Sequence, residues 1–501
     1  MGLQQAVDSV ANMFSGNNHK YSAISDPEIS HDERATAEQR ASARRFLKYA
    51  MVGVGATILL MFTMSWDPLR CERTANCTDT SSHLWGQYSP VFSVPSKISP
   101  DIPEGCEVTF ASVLSRHGAR DPTASKSELY KDLIERIQKA VTHYGHGFEF
   151  LKDVEYTLGA DQLTQFGVQQ MVDSGTTFFG RYQKLAKDSD PFIRAAGSQR
   201  VIESATNFTK GFYGAQGEDN GDAARDVLVV PEEEGYNNTL NHGTCTAFEE
   251  GPAAEIRSRK QAAWKSIWVP PIAARLNHKL RGANLTLDDT IYMMDLCPFH
   301  VVANPEGKRS AFCNLFNEDE WRSYDYFMSL DKWYGYGQGN PLGPTQGVGY
   351  VNELIARLTG KPVEDETSTN QTLNDSDETF PLDRKLYADF SHDNLMASVH
   401  AAMGLYNDTK RGDLPVGWKV APGDNGGFSA AWTVPFAGRM YVEKMRCESR
   451  GKEELVRVVV NDRVVSLRGC EADEEGRCDV GKFVESLAFA RHGGRWDECF
   501  S

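Results

Sequence analysis

One five-residue string occurs twice in the chain: Arg-His-Gly-Ala-Arg at Arg116–Arg120 and Arg-His-Gly-Gly-Arg at Arg491–Arg495. A histidine between arginines suits chemistry on a phosphate. Guanidinium forks match phosphate oxygens in pairs. Flanking positive charge disfavours protonation of the imidazole, which keeps a nitrogen free for attack. A lone histidine is equally at home as a satisfied core residue, so the string alone does not locate a site. Two other places carry compatible residues. Arg200 falls in the first turn of an expected helix, where the macrodipole favours negative charge. A cation there is accounted for if an anion shares that helix end; otherwise it is a solvated surface arginine. In Ser391–Asn394, Asp393 suits a helix N-cap and also an acid that protonates a leaving oxygen, and the two roles are compatible.

These places are strand–loop–helix junctions. "CEVTFASVLS" (Cys106–Ser115) reads as a buried strand. "KSELYKDLIERIQKAVTHYG" reads as a helix with Leu129, Leu133, Ile137 and Val141 on one face and Gly145 as its stop. "PFIRA" (Pro191–Ala195) is a strand before the helix "GSQRVIESATNFTKGF", and "KLYADF" (Lys385–Phe390) a strand before "DNLMASVHAAMGLY". "LVRVVVNDRVVSL" (Leu455–Leu467) is a hairpin turning at Asn461-Asp462. Such alternation predicts an α/β core, with sites beyond the carboxyl ends of strands. Residues 245–365 are helix-like and rich in aromatics, and are expected to form a smaller, mostly helical part. Glu366–Thr379 is a polar surface loop. "GYGQGNPLGPTQG" lacks the Lys-Ser/Thr of a P-loop and reads as structural; no H-E-x-x-H occurs.

The 501 residues carry a net charge of −16, so a generic nucleic-acid surface is not expected. An acidic protein that handles phosphate must build a local basic pocket, which makes clustered arginines informative. None of the ten cysteines precedes Cys71, and no C-x-x-C pair supports a zinc ribbon or a thioredoxin-like motif. They are buried thiols or disulfides. The disulfide reading is favoured by N-glycosylation sequons at Asn76, Asn207, Asn237, Asn284, Asn370, Asn374 and Asn407, all in the cysteine-bearing part.

Residues 1–46 are polar and read as a disordered tail. From Ala50 to Trp66 there is no charged residue. A helix over 47–66, at ~1.5 Å per residue, just spans a bilayer core. A buried core helix and a cleaved signal peptide are the alternatives. The long polar stretch ahead of the run disfavours the latter. Arg44, Arg45 and Lys48 flank its N-terminal side, so the positive-inside rule predicts a single-pass type II anchor with 1–46 cytosolic and everything after residue 66 lumenal or extracellular.

"LSRHGARDPT", "FIRAAGSQRVIESATNF" and "YADFSHDN" resemble the histidine acid phosphatase family. "SSHLWGQYSPVFSV", "TLGADQLTQFGVQQ", "GNPLGPTQGVGYVNELIARLTG" and "AAWTVPFAGRMYVE" resemble the fungal phytases within it. The likeness covers roughly residues 70–501, without the tail or the apolar run. It implies an α/β histidine phosphatase (phosphoglycerate mutase-like) fold, with a lumenal segment over 67–100 and the catalytic region over 101–501. The pattern R-H-G-x-R-x-P is met by Arg116, His117, Gly118, Arg120 and Pro122.

By resemblance, His117 is the nucleophile that becomes a phosphohistidine. Arg116, Arg120, Arg200 and His392 bind the scissile phosphate, and Asp393 is the proton donor. No cofactor or metal is implied, and a monomer is expected. The resemblance also implies disulfides Cys71–Cys77, Cys106–Cys447, Cys245–Cys499, Cys297–Cys313 and Cys470–Cys478. Lys152 and Lys332 correspond to lysines of related phytases and are expected to bind phytate. Asp331 stands where those relatives carry a second lysine, Asp121 where an aromatic is common, and His300 where "CSFD" has an acid. These departures leave phosphomonoester hydrolysis untouched and weigh against a strong preference for phytate. The expected function is therefore a phytase-like acid phosphatase. The alternatives are a broad acid phosphatase with little phytate activity and a non-catalytic inositol-phosphate-binding surface protein.

The second string follows "DVGKFVESLAFA", in which Val480, Phe483, Val484, Leu487 and Ala488 form a helical face with Asp479 as cap. No strand precedes it, and Gly493-Gly494 lies where a helix should end. It is expected to be the end of a C-terminal helix, not a site.

Overall fold

A computed structural model describes residues 80–217, 227–407, 412–467 and 469–500. The expected tail, the 47–66 span, the 71–77 disulfide and the Asn76 sequon lie outside them. Among the described residues no helix is long and apolar enough to cross a membrane.

The strands are β1 (Cys106–Arg116), β2 (His143–Tyr144), β3 (Phe192–Ala196), β4 (Leu228–Val230), β5 (Leu280–Arg281), β6 (Leu386–Ser391), β7 (Arg439–Cys447), β8 (Glu454–Val460), β9 (Arg463–Val464) and β10 (Cys478–Asp479). The longer helices are α1 (Ala124–Ala140), α2 (Gln165–Arg181), α3 (Gln199–Gln216), α4 (Ile256–Lys279), α5 (Leu287–Ala303), α6 (Glu318–Gly335), α7 (Val348–Thr359), α8 (Asp393–Ala402) and α9 (Val480–Ser486). Eight strands form one mixed sheet in the order β10-β8-β7-β1-β6-β3-β4, with β9 paired to β8; β2 and β5 make a separate ribbon. β1, β6, β3 and β4 run parallel, while β7, β8 and β10 add antiparallel pairs on the other side of β1.

Burial explains the strand composition. β6 is buried at all six positions and β1 from Phe110 to Arg116, as expected where both faces of a sheet are covered. α3 packs on β3 and β6, α8 on β1, and α2 on α3. One apolar cluster joins sheet residues such as Val113, Leu114 and Phe390 to Trp264, Met293, Trp321 and Leu330 of α4–α6. Apart from β5, the regular elements between residues 245 and 365 are helical.

Two expectations shift. α1 buries Tyr130, Leu133, Ile134 and Ile137, whereas Leu129 is 43 % exposed, so its apolar face is rotated from the expected one. The helix stops at Val141, before Gly145, because the chain must extend to pair β2 with β5. The hairpin does turn at Asn461 and Asp462, both at positive φ, but its second strand has only two residues.

Four of the disulfides implied by resemblance are formed: Cys106–Cys447, Cys245–Cys499, Cys297–Cys313 and Cys470–Cys478. Among the sequons, Asn237, Asn284 and Asn407 are exposed, and Asn370 and Asn374 are half-buried. Asn207 is 8 % exposed and its Nδ2 donates to the Glu203 carbonyl at 2.8 Å within α3, so of the described sequons it is the least open to a glycan.

Buried polar groups fix the strand ends. Arg194 of β3 pairs with Asp389 of β6 and Glu353 of α7, each at 2.8 Å, and Arg357 reaches the other Asp389 oxygen at 2.5 Å. Asp325 of α6 is a different case. Burial pushes its carboxyl up to about 7, against the pull of the Ala431 and Gly86 amides and the Ser429 hydroxyl, and its Oδ1 has no hydrogen-bond partner among the described residues. The folded state therefore holds this proton more tightly than the unfolded chain. Its contribution is full below about pH 4 and is lost as pH rises toward 7, on the order of 4 kcal/mol. Asp325→Asn should narrow the stability gap between pH 4 and pH 8, measured as chemical-denaturation free energy. An unchanged gap contradicts the assignment.

Candidate active site

The parallel register of β1 on β6 sets Arg116 opposite Ser391. β1 thus delivers Arg116 and His117, and β6 delivers His392 and Asp393, at the same edge of the sheet. β3 pairs with β6 in the same sense and leads into α3, whose first turn carries Arg200. The sequence-predicted core set is brought together. The rings of His117 and His392 are 5.8 Å apart, and Arg116 Nη2 lies 3.6 Å from Asp393 Oδ2.

Two glycines let the loop pack. A Cβ on Gly118 would lie 2.5 Å from the Gly167 carbonyl oxygen, and one on Gly167 would lie 2.0 Å from that of Ala119. The start of α2 therefore closes directly on the loop. Gln170 Oε1 accepts from Ala119 N at 2.9 Å, and Ser204 Oγ accepts from Gly118 N at 3.1 Å while donating to the Arg200 carbonyl.

His117 is fully buried. Its Nδ1 lies 2.8 Å from the Gly118 carbonyl oxygen, which only accepts, so Nδ1 carries the proton and Nε2 the lone pair. Burial, with Arg116, Arg120, His392 and Arg200 around it, holds the imidazole well below its ordinary value. The neutral form is the stable one.

The three arginines are held without being exhausted. Arg116 Nη1 donates to the carbonyls of Val434, at 2.9 Å, and Gln87, and its guanidinium lies 4.5 Å from the Phe436 ring centroid. Burial and Arg120 lower it to about 10 even though Asp393 opposes them. Arg120 Nη1 donates to the Asp121 carbonyl at 2.7 Å. Arg200 rests 3.8 Å from Asp161 and is lowered by burial and by Arg120. In each of the three, Nε is buried and has no hydrogen-bond partner among the described residues. The same holds for Arg357 and Arg439 elsewhere; what distinguishes these three is that they surround His117, where an accepting ligand would satisfy costly buried donors.

Asp393 opens α8 and its Oδ2 lies 2.7 Å from Lys332 Nζ. Burial would raise its carboxyl, but Arg116 and Lys332 outweigh this and hold it well below the usual range. Asp393 is the first helical residue, not the cap: the N-cap is His392, which makes no side-chain cap bond. His392 Nε2 instead lies 2.8 Å from Glu232 Oε1. Glu232 also accepts from Ser198 Oγ at 2.7 Å, and these partners bring it down to about 2 against its burial.

The two lysines differ. Lys332 is 3 % exposed, and its ammonium is shared by Asp331, Asp393 and Asn394. Lys152 is exposed at the end of the 3₁₀ turn Glu149–Lys152 and, among the described residues, makes no ion pair with the site. Sequence reasoning missed Glu232, Gln170 and Ser204. Glu232 was within reach, since it follows the carboxyl end of β4, the rule that found the others.

Arg491–Arg495 is elsewhere. The C-terminal helix breaks at Leu487, a single turn ends at Arg491, and Gly493 and Gly494 turn the chain at positive φ. Arg495 pairs with Glu498 at 2.6 Å beside the Cys245–Cys499 disulfide.

A neutral buried histidine among arginines at the carboxyl end of a parallel strand is an arrangement suited to an anionic ligand. The chain belongs to the histidine phosphatase superfamily (branch 2), whose family model matches residues 107–461. It is 52 % identical over 432 residues to phytase A of Emericella nidulans, covering 85 % of this chain and 92 % of that one. It is 45 % identical to phytase A of Neurospora crassa, over 87 % of this chain and 96 % of that one. Its fold is also that of the phytase from D. castellii, with a TM-score of 0.68 at 22 % identity over 84 % of this chain and 88 % of that one. The Bifidobacterium longum multiple inositol polyphosphate phosphatase in complex with inositol hexasulfate gives a TM-score of 0.58 at 15 % identity, over 81 % and 97 %.

The close approach of α2 is testable. Gly167→Ala should displace the Ala119 carbonyl and lower kcat at least about tenfold, with unchanged far-ultraviolet circular dichroism. Full activity contradicts the packing role.

Proposed function

We propose that the protein hydrolyses phosphomonoesters, phytate among them, by forming a phosphohistidine on His117. It is a phytase-like histidine acid phosphatase, a phosphoric monoester hydrolase. The observation that carries the mechanism is the neutral His117 with its Nε2 lone pair, set among three arginines that keep unbonded Nε–H groups.

In the proposed reaction the scissile phosphate takes donors from Arg116, Arg120, Arg200 and His392. His117 Nε2 attacks phosphorus, the P–O bond to the leaving group breaks, and Asp393 gives that oxygen its proton. Water then attacks phosphorus and gives a proton to Asp393, the P–N bond breaks with its pair returned to His117 Nε2, and inorganic phosphate leaves. Asp393 is ionised before substrate arrives, because Arg116 and Lys332 hold it so. A bound phosphate anion offsets the charge of Arg116 and lets the carboxyl take up a proton, which favours acidic pH.

The names of the relatives support phytate as a substrate. The broad-phosphatase reading draws on Lys332, whose charge is already shared by two protein carboxylates, and on Asp331 beside it. A purely binding protein is disfavoured by the complete set of reacting groups. His117→Ala should reduce turnover at least about a thousandfold, and retained activity removes the proposed nucleophile. Comparing kcat/KM for phytate and for p-nitrophenyl phosphate decides between the two enzyme readings. Negligible phytate turnover supports the broad one.

The type II anchor at 47–66 is likewise a proposal, supported by its uncharged run. An extracellular or lumenal catalytic part is supported by the four disulfides. The full-length chain should stay with the membrane pellet after alkaline carbonate washing and enter detergent. Release of the intact chain by carbonate contradicts the anchor.

A further inference from the structure

Two carboxylates share one buried ammonium beside the reacting groups. Lys332 Nζ lies 2.7 Å from Asp393 Oδ2 and 3.0 Å from Asp331 Oδ2, and it donates to Asn394 Oδ1 at 2.8 Å. The ammonium thus sits between two carboxylates while bonded to Asn394. Asp331 also faces Arg257 of α4, Nη1 to Oδ1 at 3.7 Å, and that guanidinium is bonded to the Tyr336 hydroxyl at 2.8 Å. Asp331 makes no hydrogen bond to Asp393; what links them is the lysine.

The groups that act on Asp393 come from every neighbouring element. Arg116 and His117 come from the end of β1, Lys332 from α6 and Tyr336 from just beyond it, Tyr88 from the N-terminal turn, and Arg200 from α3. Arg116 is the group that a bound phosphate will occupy. Lys332 is then the main cation left on the carboxylate, and how firmly it holds Asp393 depends on its other anionic partner. In a buried site such competition is strong, because little water screens it.

We propose that Asp331 is a positioning residue for proton transfer: by drawing on Lys332 it limits that ammonium's hold on Asp393, and so sets the highest pH at which Asp393 still carries a proton for the leaving oxygen. This rests on the reading of Asp393 as the acid. Without Asp331, Lys332 turns its full charge on Asp393, and the loss of a nearby negative charge acts in the same direction. Asp393 then keeps its proton only at lower pH.

The test uses the full-length chain and the rate of phosphoenzyme formation in single turnover across pH. One substrate is glycerol 2-phosphate, whose alkoxide needs a proton to leave. The other is p-nitrophenyl phosphate, whose phenolate departs without one. Asp331→Asn should move the alkaline limb for the glycerol ester down by about one pH unit. It should leave the aryl ester's limb in place, and Asp331→Glu should restore the wild-type profile. An unmoved alkyl limb overturns the inference. So do an equal shift with both substrates, loss of turnover with both, and failure of Asp331→Glu to restore the profile. Asp393→Asn separates this from the underlying reading. Wild-type rates on the glycerol ester in that variant remove Asp393 as the acid. A strong loss there, with an unmoved Asp331→Asn limb, removes only the role of Asp331.

Discussion

Everything at the site depends on the parallel pairing of β1 with β6 and its register, Arg116 opposite Ser391. A shift of one residue would turn Arg116 to the other face of the sheet and carry His392 and Asp393 away from it. The register is held from several sides. β7 pairs antiparallel along the other edge of β1, and its pairing reaches the disulfide Cys106–Cys447 at the far end. Arg194, Asp389, Arg357 and Glu353 lock β3, β6 and α7 by buried ion pairs. Such charges are expensive to bury and would be strongly destabilising if one partner were removed, so the set admits few alternative alignments.

The second constraint is electrostatic. The chain has a net charge of −16, yet four cationic side chains meet at one end of the sheet. They are placed at a cost that the scaffold offsets locally. Carbonyls of Gln87 and Val434 and the face of Phe436 hold Arg116, Asp161 holds Arg200, and Asp331 and Asn394 hold Lys332. The same field keeps His117 neutral and Asp393 ionised. In the proposed mechanism this leaves His117 able to attack before substrate arrives, and makes Asp393 competent as an acid once an anion has countered the cations around it. Under that proposal Arg116, 3.6 Å from Asp393, would link phosphate binding to proton transfer.

Much of this was legible in the sequence. The strands β1, β3 and β6 and the helices α3 and α8 follow from local periodicity and caps, and the carboxyl-end rule pointed to Arg116, His117, Arg200, His392 and Asp393. Other features were not legible, for physical reasons. The apolar face of α1 is set by what it packs against, which its own spacing does not state. Glu232 acts through a partner 160 residues away. Lys332 looks like a free cation in the sequence, and only the structure shows its three acceptors. Asn207 fits a sequon, but the helix that carries it turns it inward. In each case the deciding contact is long-range. The repeated string makes the same point from the other side: its second copy follows a short helical turn instead of a strand, its Arg495 is taken by Glu498 and the Pro341 carbonyl, and it ends as a turn beside a disulfide.

The central claim is that a neutral His117 takes the phosphoryl group. Its most direct measurement is to quench the enzyme in alkali during turnover, digest it, and locate phosphate by mass spectrometry. The account predicts an acid-labile, base-stable phosphate on the peptide carrying His117, absent when His117 is alanine. Phosphate on another residue, or turnover with no phosphoenzyme, would contradict it.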